Sequence, residues 1–149
     1  MIKKIALGIS AALFCVAISC NKEEKGLAAN SWSMSGKTFD VDKVTVSTAQ
    51  QYIAASDGKG STLTFSFFNL PASNADLNVN SEAYTNSDIA MRAVLSGNII
   101  YSSVPSAGAF VSVRVDAAGK YTLIANNIKF VNANKLSDTV NVSTYIVQN

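Results

Sequence analysis

Thr62-Leu63-Thr64-Phe65-Ser66-Phe67 alternates hydroxyl-bearing and apolar side chains without a break. In an extended chain successive side chains point to opposite faces, so Leu63, Phe65 and Phe67 share one face and the hydroxyls the other. A helix would scatter the same residues around its circumference. The stretch therefore reads as a strand buried on one face, the kind that antiparallel sheets use. Val111-Ser112-Val113-Arg114-Val115 repeats the pattern, and so does Val140-Asn141-Val142-Ser143-Thr144-Tyr145-Ile146.

The turns agree. Asp116-Ala117-Ala118-Gly119-Lys120 joins two alternating runs, and Asp57-Gly58-Lys59-Gly60 precedes the Thr62 strand. Ser96-Gly97-Asn98 separates Ile89–Leu95 from Ile99–Ser103, and Ser35-Gly36-Lys37 is a tight connection between Trp32-Ser33-Met34 and Thr38–Val41. Between Tyr121 and Phe130 the apolar phase slips at Asn126-Asn127, which predicts a bulge or a bend. Asn69–Ser87 reads as a long loop with a short strand at Leu77–Val79. Ser47–Ala55 suits either one helical turn or a strand. Eight or so short strands predict an all-β domain over 31–149, an antiparallel two-sheet β-sandwich of immunoglobulin-like kind. A closed up-and-down β-barrel, lipocalin-like, is the alternative.

Composition removes whole classes of chemistry. The chain has 149 residues, two Cys and no His. That excludes a Ser-His-Asp or Cys-His pair, a His-ligated zinc and an imidazole base. Met1-Ile2-Lys3-Lys4 is a basic head, followed by an apolar run from Ile5 to Ile18 too short to span a bilayer. Residues 1–19 are therefore expected to be a signal peptide, and 20–30 a flexible tether. Without Lys3 and Lys4 the ten remaining bases balance ten acids. The bases stand singly, so no nucleic-acid partner is expected.

Ala17-Ile18-Ser19-Cys20 resembles the lipobox of bacterial lipoproteins. The resemblance implies a diacylglycerol on the Cys20 thiol and cleavage before it; ordinary secretory cleavage, with Cys20 incidental, is the alternative. Several acyl chains would make a permanent membrane anchor. The following Lys22, Glu23 and Glu24 resemble the lipoprotein export signal of Bacteroidota, which implies an outer-membrane protein exposed on the cell surface. A solvated tether on a periplasm-facing protein is the other reading. With Gly36-Lys37-Thr38-Phe39 and Gly119-Lys120-Tyr121-Thr122, the mature chain also resembles small β-rich lipoproteins of Bacteroidota. That likeness implies a two-sheet fold and assigns no activity.

Candidate sites are sparse. Gly58-Lys59-Gly60-Ser61-Thr62 has the Gly and Lys of a phosphate loop in the wrong order, and a strand follows it, so it reads as a turn. Asp40 and Asp42 share one side of an extended chain, but calcium wants six to eight oxygens. Glu82 and Asp88 are the nearest thing to a hydrolase acid pair. Asp138-Thr139-Val140 resembles the short pattern at which Bacteroidota O-glycosylate exported proteins, which makes Thr139 the candidate residue. Trp32, Tyr52, Tyr84 and Tyr101 fall near strand ends or loops and are the candidates for stacking on a glycan or peptide. No catalytic residue, metal or cofactor is expected. The sequence thus predicts a lipid-anchored, non-enzymatic binding or accessory module for a glycan or protein partner. A lipocalin-like carrier of a small apolar ligand is the alternative, and a carboxylate hydrolase is a third.

Overall fold

The structure is a computed structural model that describes residues 26–149. Cys20, Lys22, Glu23 and Glu24 lie outside the described residues. Eleven strands make up the described chain: β1 (Ser31–Met34), β2 (Lys37–Asp40), β3 (Lys43–Ser47), β4 (Tyr52–Ser56), β5 (Thr62–Phe67), β6 (Ala75–Asn80), β7 (Asp88–Leu95), β8 (Ile99–Ser103), β9 (Phe110–Val115), β10 (Tyr121–Asn132) and β11 (Lys135–Val147). The domain is all-β, as the alternation requires. Leu63, Phe65 and Phe67 are buried on β5, with Thr62, Thr64 and Ser66 on the half-exposed face. Ser47–Ala55, open between helix and strand in the sequence, resolves into the end of β3, a turn and β4.

The strands form one hydrogen-bonded array in the order β2-β1-β11-β10-β9-β6-β7-β5-β4-β3, with β8 bridging β7 and β10. β6, β7, β8, β10 and β9 consequently close a ring of five. Two features depart from the sequence expectations. β6 and β7 run parallel, so the array is not wholly antiparallel. Neighbours such as β5–β7, β6–β9 and β1–β11 skip along the chain, unlike the sequential order of an up-and-down barrel. The long loop also holds more strand than expected, because β6 covers Ala75–Asn80 and pairs with β9 on one side and β7 on the other.

Residues 37–47 lie at both rims of this array. The Val41 amide donates to the Asn30 carbonyl at 2.8 Å, while the next amide, of Asp42, donates to the Ser56 carbonyl at 2.8 Å. Neighbouring amides of an extended chain point to opposite sides, so the chain passes from pairing with β1 to pairing with β4 within two residues. The interior is filled by Trp32, Ile53, Leu63, Phe65, Ile89 and Phe130, each fully buried. The Trp32 and Phe39 rings stack with centroids 3.9 Å apart and planes 8° from parallel. They are cross-strand partners in the β1–β2 hairpin. Its turn residues, Ser35 and Gly36, both have positive φ (51° and 76°), as a tight type I′ hairpin demands.

Candidate functional site

Among the described residues β2 pairs with β1 alone, and its open rim forms one wall of a groove. The amide phase explains what this wall offers. Thr38 and Asp40 are in phase with Asp42, so their backbone donors and acceptors face away from β1 and into the groove. The larger end is a cleft of about 270 Å³ between the β1–β2 and β7–β8 hairpins, walled by Met34, Phe39, Leu95, Ile99 and Tyr101. It shares Lys37, Phe39 and Ser96 with a smaller polar recess of about 140 Å³ that reaches Asp40, Asp57 and Lys59.

Each polar group has an identifiable setting. The Lys37 ammonium sits 4.6 Å above the centre of the Phe39 ring, a cation–π contact that keeps the charge at the groove mouth. The Tyr101 hydroxyl donates to Asp138 Oδ2 at 2.8 Å, and Asn132 Nδ2 donates to the same oxygen at 3.0 Å. Asp138 has the same parity on β11 as buried Val142, Thr144 and Ile146, so it points inward at the rim of the core. The bond from Tyr101, then that from Asn132, holds its carboxyl below the ordinary value, and the same carboxylate raises the Tyr101 hydroxyl. Asp138 is an ionised acceptor at neutral pH, already engaged by two donors, and serves to orient Tyr101 rather than to deliver a proton.

Asp57 shapes the polar end. Its Oδ1 accepts the amides of Lys59 and Ser61, both at 2.8 Å. Burial pushes this carboxyl up, but the Ser61 and Lys59 hydrogen bonds and the Lys59 charge outweigh that and bring it below 3.8. The Gly58–Ser61 segment is therefore a clasped turn leading into a strand. The groove thus sets main-chain hydrogen-bonding groups, an apolar wall and the Lys37 charge side by side.

Of the four aromatics expected to stack on a ligand, only Tyr101 lines the groove, and its ring is 9% exposed. Trp32 is 0% exposed and covered by Phe39, so it is a core residue with no face to offer. Tyr52 is half-buried in β4 opposite Ser47 and Ser66. Tyr84 is 57% exposed in the segment between β6 and β7. The four stand on separate elements and make no common platform. Thr139 is exposed on β11 opposite Val131, beside inward-facing Asp138. Asp88 is a turn clamp, accepting the Thr85 amide and hydroxyl at 3.1 and 2.8 Å. Among the described residues no cluster of three or more His, Cys, Asp or Glu could hold a metal ion, and Asp40 and Asp42 are no exception.

Lys37, Phe39, Leu95 and Ile99 escape a reading of the sequence. The available signal was the Ser35-Gly36 turn, which places a cation two residues from a core aromatic at a hairpin tip. No family model matches the chain, and neither a curated protein nor a solved structure matches it.

Proposed function

We propose that the protein is a lipoprotein held in the outer membrane through acylated Cys20 and displayed on the cell surface by Lys22-Glu23-Glu24, where it serves as a non-enzymatic binding module. The observation that carries the binding role is the open rim of β2 beside an apolar cleft. Thr38 and Asp40 supply main-chain bonds, and the Met34–Phe39–Ile99 walls supply a pocket for one apolar side chain. That combination suits an extended segment of a partner protein added as a strand. We read the fold as a barrel-like closure with a filled interior. The five-strand ring favours the barrel. The fully buried Trp32, Phe65 and Phe130 speak against the interior cavity that a lipocalin-like carrier needs.

The anchor and the groove are tested separately. Cys20→Ala is expected to abolish lipid labelling and membrane retention, and unchanged retention would overturn the anchor. Replacing Lys22, Glu23 and Glu24 with Ala is expected to hide the protein from protease added to intact cells. Equal sensitivity would reduce those residues to a tether. For the groove, surface crosslinking from a photoreactive residue at position 37 is expected to capture a partner that Ile99→Glu loses. Identical capture by the Ile99→Glu variant would place the contact elsewhere.

A further inference from the structure

The outward face of β6, β9 and β10 carries an arrangement that the groove does not use. We infer that it is a binding platform for a neutral glycan, centred on Phe110. This inference depends on neither the lipid anchor nor the groove.

Val111 and Val113 point into the core and are fully buried, so Phe110, Ser112 and Arg114 line the opposite face of β9. Phe110 is 52% exposed and borders a surface depression of about 220 Å³ with Gly108, Ser112, Ile124 and Asn126. Asn78, exposed on β6, lies directly across from Phe110 in the register. Side chains so paired have their Cβ atoms about 5 Å apart. On the other flank Asn126, one residue beyond the Ala125–Val111 pair, is also exposed. The ring is thus flanked on both sides by carboxamides. One strand step away, Ser112 Oγ donates to Asp76 Oδ1 at 2.7 Å, and Arg114 Nη1 pairs with the same oxygen at 3.0 Å. The bond from Ser112, then that from Arg114, holds the Asp76 carboxyl below its usual value.

A pyranose ring offers an apolar C–H face ringed by hydroxyls that both donate and accept. An exposed phenyl ring receives the first, and flanking carboxamides, which also do both, receive the second. Arg114 and Asp76 neutralise each other, so the patch carries no net charge to attract an acidic polymer. Its size points the same way. Three strands by the four residue rises from Phe110 to Arg114 is roughly 10 by 14 Å, far short of the roughly 800 Å² per partner that a stable protein interface buries.

The test is full-length protein in detergent micelles on an array of immobilised neutral oligosaccharides, with sulfated and uronic-acid chains alongside. Wild type is expected to bind at least one neutral chain. Phe110→Ala is expected to weaken that binding by about tenfold or more, Asn126→Ala by less. Phe110→Trp should retain it, and Phe68→Ala, at an exposed aromatic in the bend after β5, should leave it unchanged. A cooperative urea transition followed by far-UV circular dichroism verifies that each variant is folded. Absence of binding to every neutral chain, equal binding by Phe110→Ala, or binding confined to anionic chains and abolished by high salt would each overturn the platform.

Discussion

Trp32 and Thr144 face each other across β1 and β11, and each buries a polar atom, Nε1 and Oγ1, that has no hydrogen-bond partner among the described residues. A buried hydroxyl without a partner costs more than the methyl that would replace it. Thr144→Val is therefore expected to stabilise the fold by about 1 kcal/mol, read from urea unfolding with Trp32, the chain's single Trp, as the probe. A loss of stability would mean that the hydroxyl is satisfied. Asp57 makes the opposite case. Its carboxyl titrates below 3.8 in the folded chain, so its contribution is complete above the unfolded value and disappears as pH falls through the folded one. Asp57→Ala should cost about 1–2 kcal/mol at pH 7, and the gap from wild type should narrow towards pH 3. A gap independent of pH would remove the ionised carboxylate as the cause. At this scale the sequence was legible where alternation was long. It misled at Trp32, whose strand of four residues buries Ser31, Trp32 and Met34. At Tyr101, which lines the groove, Ile99 and Ile100 before it obscure the parity.

Among the elements, β10 best rewards a reading of the pattern. The slip at Asn126-Asn127 is a register shift between Ala125 and Ile128 in the pairing with β11, and Asn127 takes φ 55° there. The bulge lets Leu123 and Ala125 on one parity, and Ile128 and Phe130 on the other, all reach the core. Asn tolerates left-handed backbone, whereas a β-branched residue does not. Asn127→Val should cost about 1–3 kcal/mol and Asn127→Gly less than about 0.5, by the same unfolding measurement. Equal effects would show that the bulge does not depend on that φ. β6 was the least legible element. Its sequence, Ala75-Asp76-Leu77-Asn78-Val79-Asn80, has the right alternation, but Asn and Asp are poor strand formers. Its pairing is supplied from outside, by β9 and by a parallel contact with β7. No local pattern encodes such a partner choice. The same holds for the groove, whose walls come from hairpins about sixty residues apart.

Across the whole molecule, the order of strands ties the start of the domain to its end. β1 pairs with the last part of β11, and the Asn30 side chain accepts the Val147 amide at 2.7 Å. The β1–β2 hairpin thus has no sheet to join until the final strand is in place. Such long-range pairing predicts folding on the millisecond-to-second scale. It also predicts that the domain has no stable core without its C-terminus. Ending the chain after Asn141 removes Val142 and Ile146 from the core and leaves Trp32, Met34 and Phe39 without the strand they pack beside. Five large side chains at about 2 kcal/mol each come to roughly 10 kcal/mol, as much as the net stability of an ordinary domain. The truncated protein is expected to show Trp32 emission at the unfolded wavelength and no cooperative urea transition. A cooperative transition with Trp32 still exposed would mean that the five-strand ring folds without the β1–β2 hairpin. In that case the groove would be an appendage to the fold and not one of its consequences.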